Sequence, residues 1–217
     1  MNFEKARFNM VEQQIRPWDV LDPVVLDLLM TVRREEFVPA AYKTLAFADI
    51  EIPLGGGHTM LKPVVEGKVL QAVQVRPTDS VLEVGAGSGY FAALLAARAE
   101  SVRSVDIDPA MVRLAQENLA RYGVANVVVE EGDGVQGCAA HGPYDVIVVS
   151  GGLPQLPDAL LQQLKPGGRL FAFVGEAPVM KGRLVTNLGE GRFQTEDVFE
   201  SLVTVLQNAP KPDGFRF

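Results

Sequence analysis

A single cysteine in 217 residues, Cys138, means that no disulfide can close within the chain, and nothing in it calls for an oxidising compartment. Basic residues are also in deficit, 20 Lys and Arg against 27 Asp and Glu, for a formal net charge of −7. That balance disfavours a basic nucleic-acid-binding face, so no nucleic acid is expected as a partner. No apolar run reaches the roughly 18 residues of a membrane-spanning candidate, and Met1 to Gln14 shows no basic-then-apolar leader. The expectation is a cytoplasmic protein with no membrane contact. Internal repeats and low-complexity tracts are missing too. What remains is hydrophobic, 47% of all residues, enough for a large buried core in one compact domain.

The pattern predicts two regions within that domain. Residues 1–79 read as a helical N-terminal extension with a substrate-side loop. Phe3 to Ile15 is amphipathic, and Asp22-Pro23 starts a second helix as an N-cap followed by proline at the first helical position. A third helix opens at Pro63 and runs to about Val75. Between them Ile50 to Leu54 alternates briefly before Gly55-Gly56-Gly57 breaks it. From residue 80 to 217 strands and helices alternate, with predicted strands at Ser80–Val84, Ser101–Val105, Val127–Val129, Tyr144–Val149 and Arg169–Val174. Leu184–Thr186 and Phe193–Leu206 flank a tight Asn187–Gly191 connection and read as a hairpin. The fold class is therefore α/β: a Rossmann-like, doubly wound, mostly parallel sheet that ends in an antiparallel hairpin.

The most informative stretch is Ser80-Val-Leu-Glu-Val-Gly-Ala-Gly-Ser-Gly-Tyr90, a buried strand running into a glycine turn that opens a helix. Gly85, Gly87 and Gly89 stand where side chains would keep a ligand from the backbone. The spacing is G-x-G-x-G, and Tyr90 occupies the place where the dinucleotide fingerprint needs its last glycine. About twenty residues on, Asp106 ends the second strand, where a carboxylate can accept both hydroxyls of a ribose. It can equally begin a surface turn. Gly132-Asp133-Gly134 follows the third strand, and Asp133 can accept from an exocyclic amine or simply make a turn. Glu83 lies inside the first strand and, being charged, should be partnered there.

Leu82-Glu-Val-Gly-Ala-Gly-Ser-Gly-Tyr90, Gly132-Asp-Gly134 and Leu164-Lys-Pro-Gly-Gly-Arg-Leu170 resemble the class I methyltransferases that use S-adenosylmethionine. Met10-Val-Glu-Gln-Gln-Ile-Arg16, Arg34-Glu-Glu-Phe-Val-Pro39, Gly132-Asp-Gly-Val-Gln-Gly137 and the order of segments narrow the likeness to the protein-L-isoaspartate O-methyltransferases, over about residues 8 to 206. The resemblance implies S-adenosylmethionine as cofactor, S-adenosylhomocysteine as product, no metal, and a protein or peptide with isoaspartyl residues as substrate. It implies that Gly85, Gly87, Ser88 and Gly89 contact the methionine part, Asp106 the ribose and Asp133 the adenine. Glu83, Ile107, Gly132 and Gly134 adjoin them, and Ser150 and Gly151 lie on the substrate side.

The chain departs from that pattern at one place. The family carries Thr-Ile-Ser-x-Pro before the helix at Pro63, its serine near the reacting carboxylate, where this chain has Thr59-Met60-Leu61-Lys62-Pro63. Leu61 donates no hydrogen bond, and a bond to a charged group is worth roughly 1.5–3 kcal/mol. Its loss implies a rate lower by about one to two orders of magnitude, or a changed acceptor. Thr59, His58 and Lys62 are candidate replacements. Sulfonium methyl transfer to a carboxylate needs no general base, because a carboxylate of pKa about 4 is already ionised. A catechol would need a base or a metal, and no clustered Asp and Asn ligands follow the fourth or fifth strand. A cofactor-binding protein without catalysis remains the alternative from another class. Trp18, His141 and Cys138 read as a packing anchor, a loop residue and a thiol without a partner.

Overall fold

The computed structural model describes residues 2–210. Helix α1 (Phe3–Met10) is capped by Asn2, whose side chain accepts from the Lys5 amide. The helix expected to continue to Ile15 instead widens into a π turn over Val11–Ile15 and tightens into a 3-10 turn at Arg16–Trp18. A π turn aligns residues five apart, and Met10 and Ile15 are both 0% exposed. Core packing thus sets the winding. Helix α2 (Pro23–Thr31) starts as the sequence suggests, with the Val24 amide donating to Asp22 Oδ1 at 2.8 Å. The segment before Pro63 is a small antiparallel hairpin, β1 (Ile52–Gly55) and β2 (His58–Met60), where only a brief alternation was expected. Helix α3 (Pro63–Val73) follows.

The main sheet begins at β3 (Ser80–Val84) and continues through α4 (Tyr90–Ala96), β4 (Ser101–Asp106), α5 (Pro109–Tyr122) and β5 (Val127–Glu131). Then come β6 (Tyr144–Leu153), α6 (Asp158–Leu161), β7 (Leu164–Glu176), β8 (Val179–Gly189) and β9 (Arg192–Ser201). The seven strands lie in the order β5-β4-β3-β6-β7-β8-β9. The first five are mutually parallel, and β8 and β9 add antiparallel strands at the edge. The Lys165-Pro166-Gly167-Gly168 turn is an excursion within β7: Leu164 and Arg169 pair with Tyr144 and Val146, only two residues apart on β6, so the intervening residues bulge out.

Alternation along β3 divides the core. Val81 belongs to a cluster that runs from Met10 to Val203 and joins the N-terminal helices to one face of the sheet. Leu82 and Val84 belong to a second cluster on the other face, with Val105, Ile147 and Val149. Consecutive Val146, Ile147, Val148 and Val149 are all buried, as a strand covered on both faces requires.

Charged groups are sealed into this core, among them the Arg34–Glu66 pair and Glu83. The Arg34 guanidinium pairs with Glu66, donates through Nη2 to the Leu61 carbonyl at 2.7 Å, and lies 5.1 Å from the Tyr90 ring centroid. Burial pushes the Glu66 carboxyl up, and Arg34 pulls it back. Glu83, 0% exposed, accepts from Ser104 Oγ at 2.5 Å and from Ser150 Oγ at 3.4 Å. Neither hydroxyl carries charge, so burial dominates and pushes the Glu83 carboxyl up to about 8.

Arg34→Ala, which strands Glu66 in the interior, should cost about 3–5 kcal/mol in urea unfolding, whereas replacing both partners by apolar residues of similar volume should cost much less. Glu83 gives a pH signature of defined sign. Between the ordinary 4.5 and about 8 the native protein holds a proton that the unfolded chain has released, so stability should fall as pH rises through that window. Glu83→Gln should flatten the decline by up to about 1.4 kcal/mol per pH unit, read from unfolding curves at a series of pH values.

Candidate functional site

The chain moves across the sheet in one direction from β3 through β4 to β5, then returns to place β6 on the other side of β3. Loops at the carboxyl ends of β3 and β6 therefore part, which is where an open parallel sheet binds its ligand. A cavity of about 250 Å³ lies there. Val84, Gly85 and Gly87 line it from the first loop, Val105, Asp106 and Ile107 from β4, Asp133, Gly134 and Val135 from the loop after β5, and Ser150 and Gly151 from β6. The tip of the β1–β2 hairpin closes one side with Gly56, Gly57, His58 and Thr59.

Asp106 is fixed from two directions. Its Oδ2 accepts from the Gly87 amide at 3.1 Å and its Oδ1 from the Asp108 amide at 3.0 Å. A carboxylate has about four acceptor positions, so half remain for a ligand. Asp133 is held in the same way, Oδ1 by the Val135 amide at 3.1 Å and Oδ2 by Asn208 Nδ2 at 2.9 Å. Gly85 and Gly87, which line the cavity, have positive φ values of 98° and 50° and place no side chain of their own in it. Two oriented carboxylates, bare backbone and apolar walls from Val84, Val105, Ile107 and Val135 suit a nucleoside: hydroxyls and an amine to bond, and a flat ring to cover.

Several expected residues stand elsewhere. Gly89 turns away from the cavity: an added Cβ would lie 3.1 Å from the Ala115 carbonyl oxygen, so this glycine lets α4 and α5 approach. Ser88 is buried, its Oγ accepting from the Tyr90 amide at 3.4 Å and its carbonyl from Asn118 Nδ2 at 2.9 Å. Gly132 does not line the cavity and packs near Val105. Glu83 lies below the loop rather than in the cavity wall, lining a smaller pocket of about 50 Å³ that also borders Leu61, Ser88 and Ser150. Lys62 is the N-cap residue of α3 and lines neither space.

Beside the β1–β2 hairpin the structure gathers His58, Thr59, Leu61 and Ser150 around the cavity. Leu61 is 9% exposed and borders both spaces. His58 Nε2 lies 2.9 Å from Asp108 Oδ2. A ring nitrogen facing a carboxylate donates to it, which removes Nε2 as a base and ties the hairpin to the start of α5. The Ala110 amide and then His58 hold the Asp108 carboxyl below its ordinary value. Thr59 Oγ1 donates to Glu51 at 3.3 Å.

One wall was not foreseen. Thr204, Val205, Leu206 and Gln207 also line the cavity. The segment is held to β6 by Gly152 N donating to the Thr204 carbonyl at 2.8 Å and Leu206 N to the Gly152 carbonyl at 2.9 Å. A Cβ on Gly151 would fall 2.5 Å from Leu206 Cδ2, so the room left by the small residues after β6 is filled by the chain itself. The only local signal was the run of small residues, Ser150-Gly151-Gly152.

A family model described as Protein-L-isoaspartate(D-aspartate) O-methyltransferase matches residues 5–207. Protein-L-isoaspartate O-methyltransferase of Koribacter versatilis is 39% identical over 192 residues, covering 88% of this chain and 86% of its relative. The protein of the same name from Rhodopseudomonas palustris strain CGA009 is 39% identical over 212 residues, covering 94% and 97%. Among solved structures, a Plasmodium falciparum protein described as a protein-L-isoaspartate O-methyltransferase in complex with S-adenosyl-L-homocysteine superposes with a TM-score of 0.81 at 18% identity, covering 95% of this chain and 99% of that one, a likeness of fold. With its sheet order, its glycine loop and a match over nearly its whole length, this chain belongs to the protein-L-isoaspartate(D-aspartate) O-methyltransferase family.

Proposed function

We propose that the protein transfers a methyl group from S-adenosylmethionine to the carboxylate of an isoaspartyl residue in a damaged protein or peptide. The observation that carries this reading is the cavity at the β3–β6 divergence, where Asp106 and Asp133 present free acceptor positions beside the uncovered backbone of Gly85 and Gly87, in a chain whose family is defined by this reaction.

When bound there, S-adenosylmethionine supplies an electrophilic methyl on a sulfonium. The chain's own residues position and enclose it. Asp106, held by the Gly87 and Asp108 amides, would accept ribose hydroxyls, Asp133 would accept from the exocyclic amine, and Ile107 and Val135 would cover the ring. The acceptor carboxylate enters past His58, Thr59, Leu61 and Ser150. Being ionised at neutral pH it needs no base, and the rate comes from alignment of acceptor oxygen, methyl carbon and leaving sulfur, from exclusion of water, and from whatever hydroxyl steadies the second carboxylate oxygen. Thr59, Ser150 and Thr204 are the hydroxyl-bearing residues lining the space that Leu61 borders. Leu61 also supports a second reading, a different acceptor in the same cavity, because an apolar side chain replaces the family's hydroxyl.

The purified protein, given labelled S-adenosylmethionine and an isoaspartyl peptide, should methylate that peptide and leave its normal aspartyl counterpart unlabelled. Turnover equal to an enzyme-free blank overturns the assigned acceptor. Under the first reading Leu61→Ser should raise kcat by about tenfold or more, the worth of one bond to a charged group. If the native protein is inactive on isoaspartate and Leu61→Ser creates activity, the second reading holds. For the cofactor, Asp106→Ala and Asp133→Ala should each weaken S-adenosylhomocysteine binding by about 10- to 100-fold in calorimetry. Unchanged affinity in both variants removes the proposed nucleoside site.

A further inference from the structure

Cys138, His141 and Glu130 come together on the surface beyond the end of β5, apart from the residues that line the methyl-transfer cavity. One ligand atom from each, a sulfur, a ring nitrogen and a carboxylate oxygen, lies within 4.8 Å of the other two. Short-range structure puts them there. Ala139–His141 forms a 3-10 turn, its His141 amide donating to the Cys138 carbonyl at 3.2 Å. In a 3-10 helix residues three apart eclipse one another, so the turn stacks the Cys138 and His141 side chains on one side.

The surrounding contacts fix this turn against the body of the protein. The Cys138 amide donates to Gln163 Oε1 at 2.8 Å, and Tyr144 Oη donates to the Cys138 carbonyl at 2.7 Å. Glu130 arrives from β5 with one carboxylate oxygen, Oε1, bound by the Arg103 guanidinium. The other, Oε2, faces His141 Nε2 at 4.0 Å. Arg103 thus orients the carboxylate and leaves a single oxygen directed into the cluster, the arrangement expected of a group that supports a ligand from behind.

We infer that Glu130, Cys138 and His141 form a binding site for a borderline divalent transition-metal ion of the zinc type, separate from the methyl-transfer cavity. The donor set decides the class of ion. Thiolate and imidazole suit zinc and its neighbours, whereas magnesium and calcium require oxygen donors throughout. Tetrahedral coordination with bonds of about 2.0–2.3 Å brings ligand atoms to about 3.5 Å from one another, so side-chain rotation of roughly 1 Å closes the site without backbone movement. Binding displaces the thiol proton of Cys138 to solvent. The resulting thiolate and the Glu130 carboxylate balance the two positive charges of the ion, and water or a group from another molecule completes the fourth position. Because the turn follows directly on the Asp133 loop, a bound ion would tether residues 138–141 to β5 and stiffen the segment between them.

Titration of the reduced, full-length protein with zinc chloride against a chromophoric chelator tests this without reference to methyl transfer. The expected result is about one ion per chain, with affinity weakened about tenfold or more by each of Cys138→Ser, His141→Gln and Glu130→Gln. Cobalt(II) should give a thiolate-to-metal charge-transfer band that Cys138→Ser abolishes. Circular dichroism and thermal midpoints of the metal-free variants should match the parent, which separates loss of ligands from loss of fold. Absence of a stoichiometric site in the parent overturns the inference. So does zinc affinity that survives Cys138→Ser and His141→Gln unchanged, since the ion would then sit on other surface groups.

Discussion

The site exists because β3 has a neighbour reached in opposite directions of travel on each side. The crossover through α4 delivers β4 to one edge of β3, and the later return delivers β6 to the other. At their carboxyl ends the loops then diverge and leave a crevice that no side chain of the sheet can fill. The remaining features of the site follow from that opening. The glycine loop turns into it, Asp106 reaches it from the end of β4 and bonds back to Gly87, and Asp133 reaches it one strand farther on. Hydrogen bonds to main-chain amides hold both carboxylates in place before a ligand arrives, so little orientational entropy remains to be lost on binding.

Below the crevice the interior is polar where it must be rigid. Glu83 spans from Ser104 on β4 to Ser150 on β6, tying together the two strands that flank β3. Arg34 joins three parts of the chain, pairing with Glu66 on α3, bonding the Leu61 carbonyl and lying over the Tyr90 ring on α4. This contact to Leu61 is made by main chain. The backbone at Leu61 is therefore held without reference to the side chain it carries.

Legibility in the sequence followed the range of the interaction that fixes each element. Asp22-Pro23 and Asp108-Pro109 announced helix starts because capping is settled within three residues. The Val146–Val149 run announced a strand buried on both faces. The π turn at Val11–Ile15 gave no such sign; Val11 and Ile15 are buried in a core cluster built mostly from residues remote in the chain. Gly89 and Gly151 show the same limit in the site. Gly89 read as a place for ligand approach and is small because α5 packs against it, while the room at Gly151, open in the sequence to a chain or a ligand, is taken by Leu206 of the chain itself, and no local pattern names either neighbour.

The sequence by itself determined the alternating architecture, the glycine turn after β3, and the acidic ends of β4 and the loop after β5, because strand burial, turn chemistry and helix capping act over a few residues. Tertiary structure alone decided that the β1–β2 hairpin, latched through His58 to Asp108, and the Thr204–Gln207 segment close the cavity. It alone brought Cys138 and His141 against Glu130. The contacts of the hairpin and of Thr204–Gln207 join residues remote in the chain, and their energies depend on how the sheet twists and which loops it leaves adjacent, which the order of residue types does not encode locally.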